Sequence, residues 1–391
     1  MTERLYYRDA SLLAFDAMVI EQVGDPHHVV LDRTAFYPTS GGQPHDIGVL
    51  GSARVTDVID DERRIVHVID SAIPLGPVHG AVDGRRRRDH MQQHSAQHLL
   101  SALAGDRYKW ETTSVHFGAE HSTIEFATAL ASEKQLADLQ HWANTTVGDA
   151  RTVSATFEDA AAANSSGLRK PSGRTGEIRV ITIDGIDRSA CGGTHVSRTS
   201  EIGSVLLLDI ESIRGQVRVG FLAGARVLAH THASDTTLAT VADTVGCAVN
   251  QLVEVVAGRQ QETKLLRDQV AKLEQEVAAS RVRATYDRTP PGTDGIRRIR
   301  HHATDESAAL LRLMAQAIAP LERTVFVAIG TDPAAVYFAT SSDSGVDAGA
   351  VLKPALAAGG GRGGGSARVA QGTAPTPETL EAIAAALLGP H

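Results

Sequence analysis

Two short stretches, HSAQH at 94–98 and CGGTH at 191–195, each carry two metal-ligating side chains four positions apart, with nearly a hundred residues between them. If both serve one centre, the chain must leave the first and return to it, so the two segments have to be neighbours in one folded core. Residues four apart on a helix lie one turn above each other, which lets His94 and His98 present both imidazoles to one ion. The spacing alone also fits an ordinary polar helical face, and His90 stands in the same relation to His94. CGGTH changes the balance. It offers a soft thiolate and an imidazole on a turn that Gly192 and Gly193 allow to be tight. One sulfur and three nitrogens suit zinc, whereas magnesium and calcium demand oxygen ligands.

The chain of 391 residues is too long for a single ordinary core and predicts two or three domains of α+β class. Residues 1–88 carry short β-rich runs such as DAMVIEQV and RIVHVID between turn residues, and predict a small barrel-like β-domain. Within it FYPTSGGQP, where Gly41 and Gly42 permit positive φ and Pro38 and Pro44 stiffen the flanks, reads as a tightly shaped loop. Residues 89–233 predict an α+β domain: a helix capped by Asp89 and ending at Gly105, then a hairpin, a second helix and further strands. Over 234–287 Leu252, Val256, Leu266, Val270, Leu273 and Val277 form an apolar stripe. This implies a long helix or helical hairpin, open either to folding back or to a homodimeric coiled coil, with Gly258 weakening an unbroken rod. After a Pro-rich linker, residues 296–391 alternate helix and strand and predict a compact α/β module containing GGGRGGGSARVAQG.

The formal charge of −8 argues against a protein that coats nucleic acid indiscriminately, while leaving room for a local RNA site. Arg85, Arg86, Arg87 and Arg88 form one basic run, and Arg297, Arg298, Arg300, His301 and His302 another. The sequence has neither a basic-then-apolar leader nor a stretch long enough for a membrane span, which predicts a cytoplasmic protein with reduced thiols and no membrane partner. Cys191 is then free to ligate a metal, and Cys247, in VGCAVN, reads as a small core residue.

Taken in order, FYPTSGGQP, HSAQH and CGGTHV resemble the alanyl-tRNA editing proteins of the AlaX type, free-standing relatives of the alanyl-tRNA synthetase editing domain. GGGRGGGSARVAQG resembles the DHH-associated domain that ends the long members. The resemblance implies Zn2+ held by His94, His98, Cys191 and His195, with His90 outside the pattern. It implies hydrolysis of the ester in tRNA(Ala) mischarged with serine or glycine. With no room for an aminoacylation portion before residue 1, editing without charging is the expectation.

An editor that selects serine needs a polar pocket, because a site built to hydrogen-bond a hydroxyl can reject its absence by about 10⁴. Candidate substrate contacts are Gln97, then Glu111, Thr112, Thr113, Ser114 and His116 on KWETTSVHFG, and Gly41, Gly42 and Gln43 of the loop. Candidate RNA contacts are Arg85 to Arg88, beside the metal helix, and Arg362 in the Gly-rich run, read as a loop whose backbone could approach phosphate or as a flexible turn. Four protein ligands leave open whether zinc acts in catalysis or in positioning. Two other readings compete: a tRNA-binding protein with structural zinc, and a DHH-type phosphodiesterase, for which DHM at 89–91 is a poor match.

Overall fold

The computed structural model describes residues 1–389 apart from 63, 305, 332 and 333. The chain divides into two compact units, residues 1–240 and 241–391. In the first, β1 (Glu3–Arg4) and β4 (Arg33–Thr34) make a short parallel pair. Strands β2 (Ala14–Gln22), β3 (His28–Leu31), β5 (Gly48–Leu50), β6 (Ala53–Asp61), β7 (Arg64–Ile69) and β8 (Gly76–Val82) close a barrel in the order β2-β3-β7-β6-β5-β8. Strand alternation builds its interior: Phe15, Ala17 and Val19 of β2 point in, against Leu31, Val58 and Ile65, while the residues between them face water.

Helix α1 (Gly84–Tyr108) follows directly. It begins five residues before the expected Asp89, because the Asp83 carboxylate accepts the Arg86 N–H at 3.0 Å and caps it there. It runs past Gly105 to Lys109, whose φ of 60° ends it in the left-handed conformation. The four arginines therefore lie in the first turns of the helix, and Arg87 does not reach the surface. Its guanidinium pairs with the fully buried Asp46 and donates to the carbonyls of Ala10 at 2.7 Å and Ala35 at 2.5 Å. Arg87 is thus withdrawn from the expected RNA-binding run: buried and paired inside, it cannot reach a phosphate. Asp46 also accepts the Tyr37 N–H at 2.7 Å, so this ion pair clamps both ends of the FYPTSGGQP loop to the helix.

Around α1 pack the sheet β14-β15-β10-β9, made of β9 (Thr112–Phe117), β10 (Ser122–Phe126), β14 (Val205–Ile213) and β15 (Gln216–Ala223), and helix α2 (Glu133–Gly148). Leu99, Leu100 and Leu103 of α1 meet Ile124, Phe126, Leu139 and Phe221 in one core. A second sheet, β11 (Val153–Asp159), β12 (Glu177–Ile183) and β13 (Asp187–Ala190), carries the short α3 (Ala160–Ser165) after β11 and leads from β13 into CGGTH.

The helical region is two helices, α4 (Ala225–Val245) and α5 (Leu252–Arg288). The break falls at Gly246, with φ of +76°, and not at Gly258, which continues α5. Cys247 beside it is half-buried, less enclosed than expected of a core residue. In the second unit β16 (Arg297–His302) lies parallel to β17 (Thr324–Thr331), followed by β18 (Ala334–Thr340), and α6 (Ala308–Gln316) sits between β16 and β17 in sequence. Helix α7 (Ala348–Ala358), β19 (Arg362–Gly365), β20 (Val369–Thr373) and α8 (Pro377–Leu388) complete it. The second basic run is thus a strand, with Arg298 paired to Asp294 and Arg300 to Glu381. Within the Gly-rich run, Arg362–Gly365 forms β19, paired in a hairpin with β20, where a Cβ on Gly363 would meet Leu356 Cδ1 of α7 at 2.5 Å. As the edge strand of its sheet, β19 pairs on one side only, with β20.

Removing one partner of a buried ion pair leaves the other charge without compensation. Arg87→Ala is expected to destabilise the N-terminal unit by about 3–5 kcal/mol, read as a lower urea midpoint of its unfolding transition.

Candidate metal centre

His94 and His98 project from the middle of α1, one turn apart, and Cys191 and His195 come from the turn after β13. The four ligand atoms lie within 4.8 Å of one another, with Cys191 Sγ 3.4 Å from the Nε2 atoms of both His94 and His195. The histidines are buried and the cysteine is partly open.

The orientation of the rings follows from what holds their other nitrogens. Gln43 Oε1 accepts the Thr194 N–H at 3.1 Å, a group that can only donate, so the same oxygen must accept a proton from His94 Nδ1 at 2.8 Å. Gln43 Nε2 donates to Thr194 Oγ1 at 2.8 Å, which completes the side chain's fixation. His98 Nδ1 donates to Asp187 Oδ2 at 2.9 Å, and Asp187 is itself held by Arg169 and Ser189. His195 Nδ1 lies 3.1 Å from Ser95 Oγ, which also accepts the Val196 N–H. Each ring therefore has an oxygen at Nδ1, leaving Nε2 for the shared point, as imidazoles that bind a metal are normally supported.

The turn is shaped as closely as the rings. Arg179, buried, donates to the carbonyls of Cys191 at 3.0 Å and Gly193 at 2.7 Å. A Cβ on Gly193 would stand 2.1 Å from His94 Cε1, so glycine there is a requirement of the packing.

Burial opposes charge on His98, but Asp187 and Cys191 outweigh it and raise the imidazole to about 10. Burial also favours the neutral Cys191 thiol, yet His94 and His195 pull it well below the usual thiol value. His195 is pushed down to about 3, by burial first and then by His94. The site thus balances a thiolate against an imidazolium, and an entering cation takes the place of the proton. Three imidazole nitrogens and a thiolate are donors suited to zinc.

His94, His98 and Cys191 of the cluster line a cleft of about 800 Å³, bordered by Tyr7, Tyr37, Thr39, Ser40, Gln97 and Val115 among others. Of the expected pocket residues, Gln97 and Gly41 line it and Gln43 stands behind His94. Gly42, with φ of +82°, packs on Val115 and Phe117. A bulge in the β9–β10 pairing sets Thr112 opposite Phe126 and Val115 opposite Ile124, on the core side. Ser114 and His116 pair with Glu125 and Thr123 and take the opposite face. Thr113 bonds Gln216 in a different cleft, and exposed Glu111 precedes the strand. Thr112 reaches the site through Ser101, whose hydroxyl accepts from both Thr112 and Gln97 at 2.8 Å. His90, whose Nδ1 has no partner among the described residues and whose pKa burial lowers to about 4, lines a separate cleft of about 560 Å³ with Arg85, Arg86 and Arg88.

Sequence reasoning missed Asp187, Ser95 and Arg179. Ser95 sits inside HSAQH and Asp187 four residues before Cys191, but serine and aspartate in such places carry no signal of their own.

Residues 178–218, with β12, β13 and CGGTH, match the family model described as the threonyl and alanyl tRNA synthetase second additional domain, and residues 302–388 match the DHHA1 domain. Fold and site thus define a chain built around a synthetase-type additional domain with a metal-capable cluster. The alanyl-tRNA editing protein Aarsd1 of Mus musculus is 32% identical over 321 residues, 80% of this chain and 76% of its own length. Aarsd1 of Rattus norvegicus is 30% identical, covering 79% and 76%. An alanine–tRNA ligase of Halorubrum lacusprofundi is 30% identical over 97% of this chain but only 43% of the ligase. The chain belongs to the alanyl-tRNA editing protein family, as a long AlaX-type member with a C-terminal DHHA1 domain.

Gly193→Ala should displace His94 and Gln43 while leaving the fold intact. Titration with Co2+, followed by its visible absorption, is expected to give an affinity at least about tenfold weaker than wild type, with an unchanged circular dichroism spectrum.

Proposed function

We propose that this chain deacylates tRNA(Ala) carrying the wrong amino acid, serine foremost and glycine second, at a site where His94, His98, Cys191 and His195 hold Zn2+. The observation that carries the reading is the convergence of these four donors, three of which (His94, His98 and Cys191) line a cleft large enough for an aminoacyl group, in a chain of the alanyl-tRNA editing family. An aminoacyl ester is already activated, so the site has only to orient it, place a water and exclude alanine. Bound zinc would supply Lewis acidity towards the carbonyl or a water, or, if its four protein ligands stay in place, an anchor for the tRNA end.

Gln97 is the residue assigned to serine. It lines the cleft, its Nε2 donates to Ser101, and no described residue donates to its Oε1, which leaves that oxygen as an acceptor for a substrate hydroxyl. Thr112 supports it through the same Ser101. Gly41 lines the same cleft, Gly42 packs on Val115 and Phe117, and Gln43 holds His94 from behind. Arg85 and Arg88, exposed on the first turns of α1, with Arg86 half-buried beside them, are assigned to the acceptor stem, and exposed Arg362 to another part of the tRNA. The apolar stripe of α5, where Leu266, Val270 and Leu273 are more than half exposed, is assigned to a homodimer contact. No described helix is long and apolar enough to cross a membrane, and a cytoplasmic location follows from the editing role. Among the described residues the single group of three or more metal-ligating side chains is the His/Cys cluster, so the carboxylate-rich centre of a phosphodiesterase lacks its ligands.

Purified protein is expected to hydrolyse Ser-tRNA(Ala), and more slowly Gly-tRNA(Ala), well ahead of Ala-tRNA(Ala). Background rates on all three would refute the editing role. Elemental analysis should find about one zinc per chain in wild type and a marked loss in both Cys191→Ala and His195→Ala; full retention in the two variants would separate the half-sites.

A further inference from the structure

Phe157 is 44% exposed on β11, an unusual place for a large apolar ring, and it borders a second cleft of about 470 Å³ on the far side of Cys191. Tyr7 lines the same cleft, its ring centroid 6.3 Å from that of Phe157. Lys170 and Arg174 stand at the rim, both exposed, and neither side chain has a hydrogen bond or ion pair to a described residue. This cleft and the larger one share Tyr7, Arg174, Ala190, Cys191 and Gly192, so the two meet at Cys191 of the metal centre.

Strand register sets the distance between ring and cluster. Phe157 pairs with Arg179 on β12, and the Arg179 carbonyl accepts the Cys191 N–H at 3.1 Å. Three neighbouring chain segments, at the usual strand spacing, put the Phe157 and Cys191 backbones about 10 Å apart. That is the span from a nucleobase to an acyl group carried on its own ribose. An aromatic surface with unpaired cations beside it matches a single-stranded nucleotide, whose base stacks without sequence demand and whose phosphate needs a counter-charge.

We propose that the cleft of Tyr7, Phe157, Lys170 and Arg174 receives the 3′-terminal nucleotide of the aminoacylated RNA, base against Phe157 and phosphate between Lys170 and Arg174, while the aminoacyl group enters the larger cleft. The assignment rests on the editing reading and adds to it where the RNA end lies. It makes Tyr7, between the two clefts, the neighbour of the ribose, and Phe157 a determinant of KM.

The test uses the full chain and the uncharged trinucleotide CCA, so that binding is read apart from hydrolysis. Phe157→Ala is expected to raise the Kd for CCA about tenfold, the loss of one base stack, and to raise KM for Ser-tRNA(Ala) with kcat and zinc content unchanged. Phe157→Trp should keep the affinity, and its added indole emission should be quenched by CCA. Lys170→Ala with Arg174→Ala should weaken binding and flatten its salt dependence. Equal CCA affinity in wild type and Phe157→Ala, or no CCA binding by wild type, overturns the proposal. A wild type that binds CCA through Phe157 yet deacylates no mischarged tRNA overturns the editing reading alone, and the nucleotide site stands.

Discussion

Three imidazoles face one point in this protein because the nitrogen each turns away from it has an oxygen partner, and every other feature of the site depends on that constraint. The partners come from three places: Gln43 from the barrel, Asp187 from the strand before CGGTH, and Ser95 from the helix that carries two of the rings. A buried imidazole without such a partner would leave a polar group unsatisfied or turn to find one, and the cluster would lose its common focus. The barrel therefore takes part in the site, and folding the barrel against α1 is what completes the centre.

Holding Gln43 in place falls to the Arg87–Asp46 pair. The carboxylate is fully buried and the guanidinium 1% exposed, with two backbone carbonyls taking further donors of the arginine, so the loop between Phe36 and Asp46 has little freedom to move away from the helix. Gly193 completes the fit from the other side, since any side chain there would occupy the space of His94. Buried charge, shaped loop and glycine act together on one ring, which ties the chemistry of His94 to packing some distance from it.

Much of the architecture was legible in the chain's pattern. The β-rich runs DAMVIEQV and RIVHVID read as strands and became β2 and β7, and the hairpin of β9 and β10 and the helix that follows it were readable in the same way. Other readings failed for local reasons with a tertiary cause. Glycine-rich sequence suggested a loop or flexible turn in GGGRGGGSARVAQG, but close packing of α7 on the sheet calls for residues without a Cβ, and Arg362–Gly365 became a strand after a short turn. The helix break came at Gly246, where the backbone takes a positive φ that glycine accepts at no cost, while Gly258 stayed in ordinary helical geometry.

What the sequence determined by itself was the donor set: two histidines one helical turn apart, and a cysteine and histidine around two glycines, whose chemistry follows from residue type and spacing. Spacing alone left His90 open and the family resemblance set it aside; the tertiary structure supplies the physical reason. His90 and His94 have the same spacing as His94 and His98, but His90 turns its ring toward a different cleft and His98 finds Asp187. It likewise withdrew Arg87 from the basic surface and placed Phe157 beside Cys191 across three chain segments. Spacing along a chain sets which side chains can share a face, whereas partners a hundred residues away, and the water they exclude, set what that face meets.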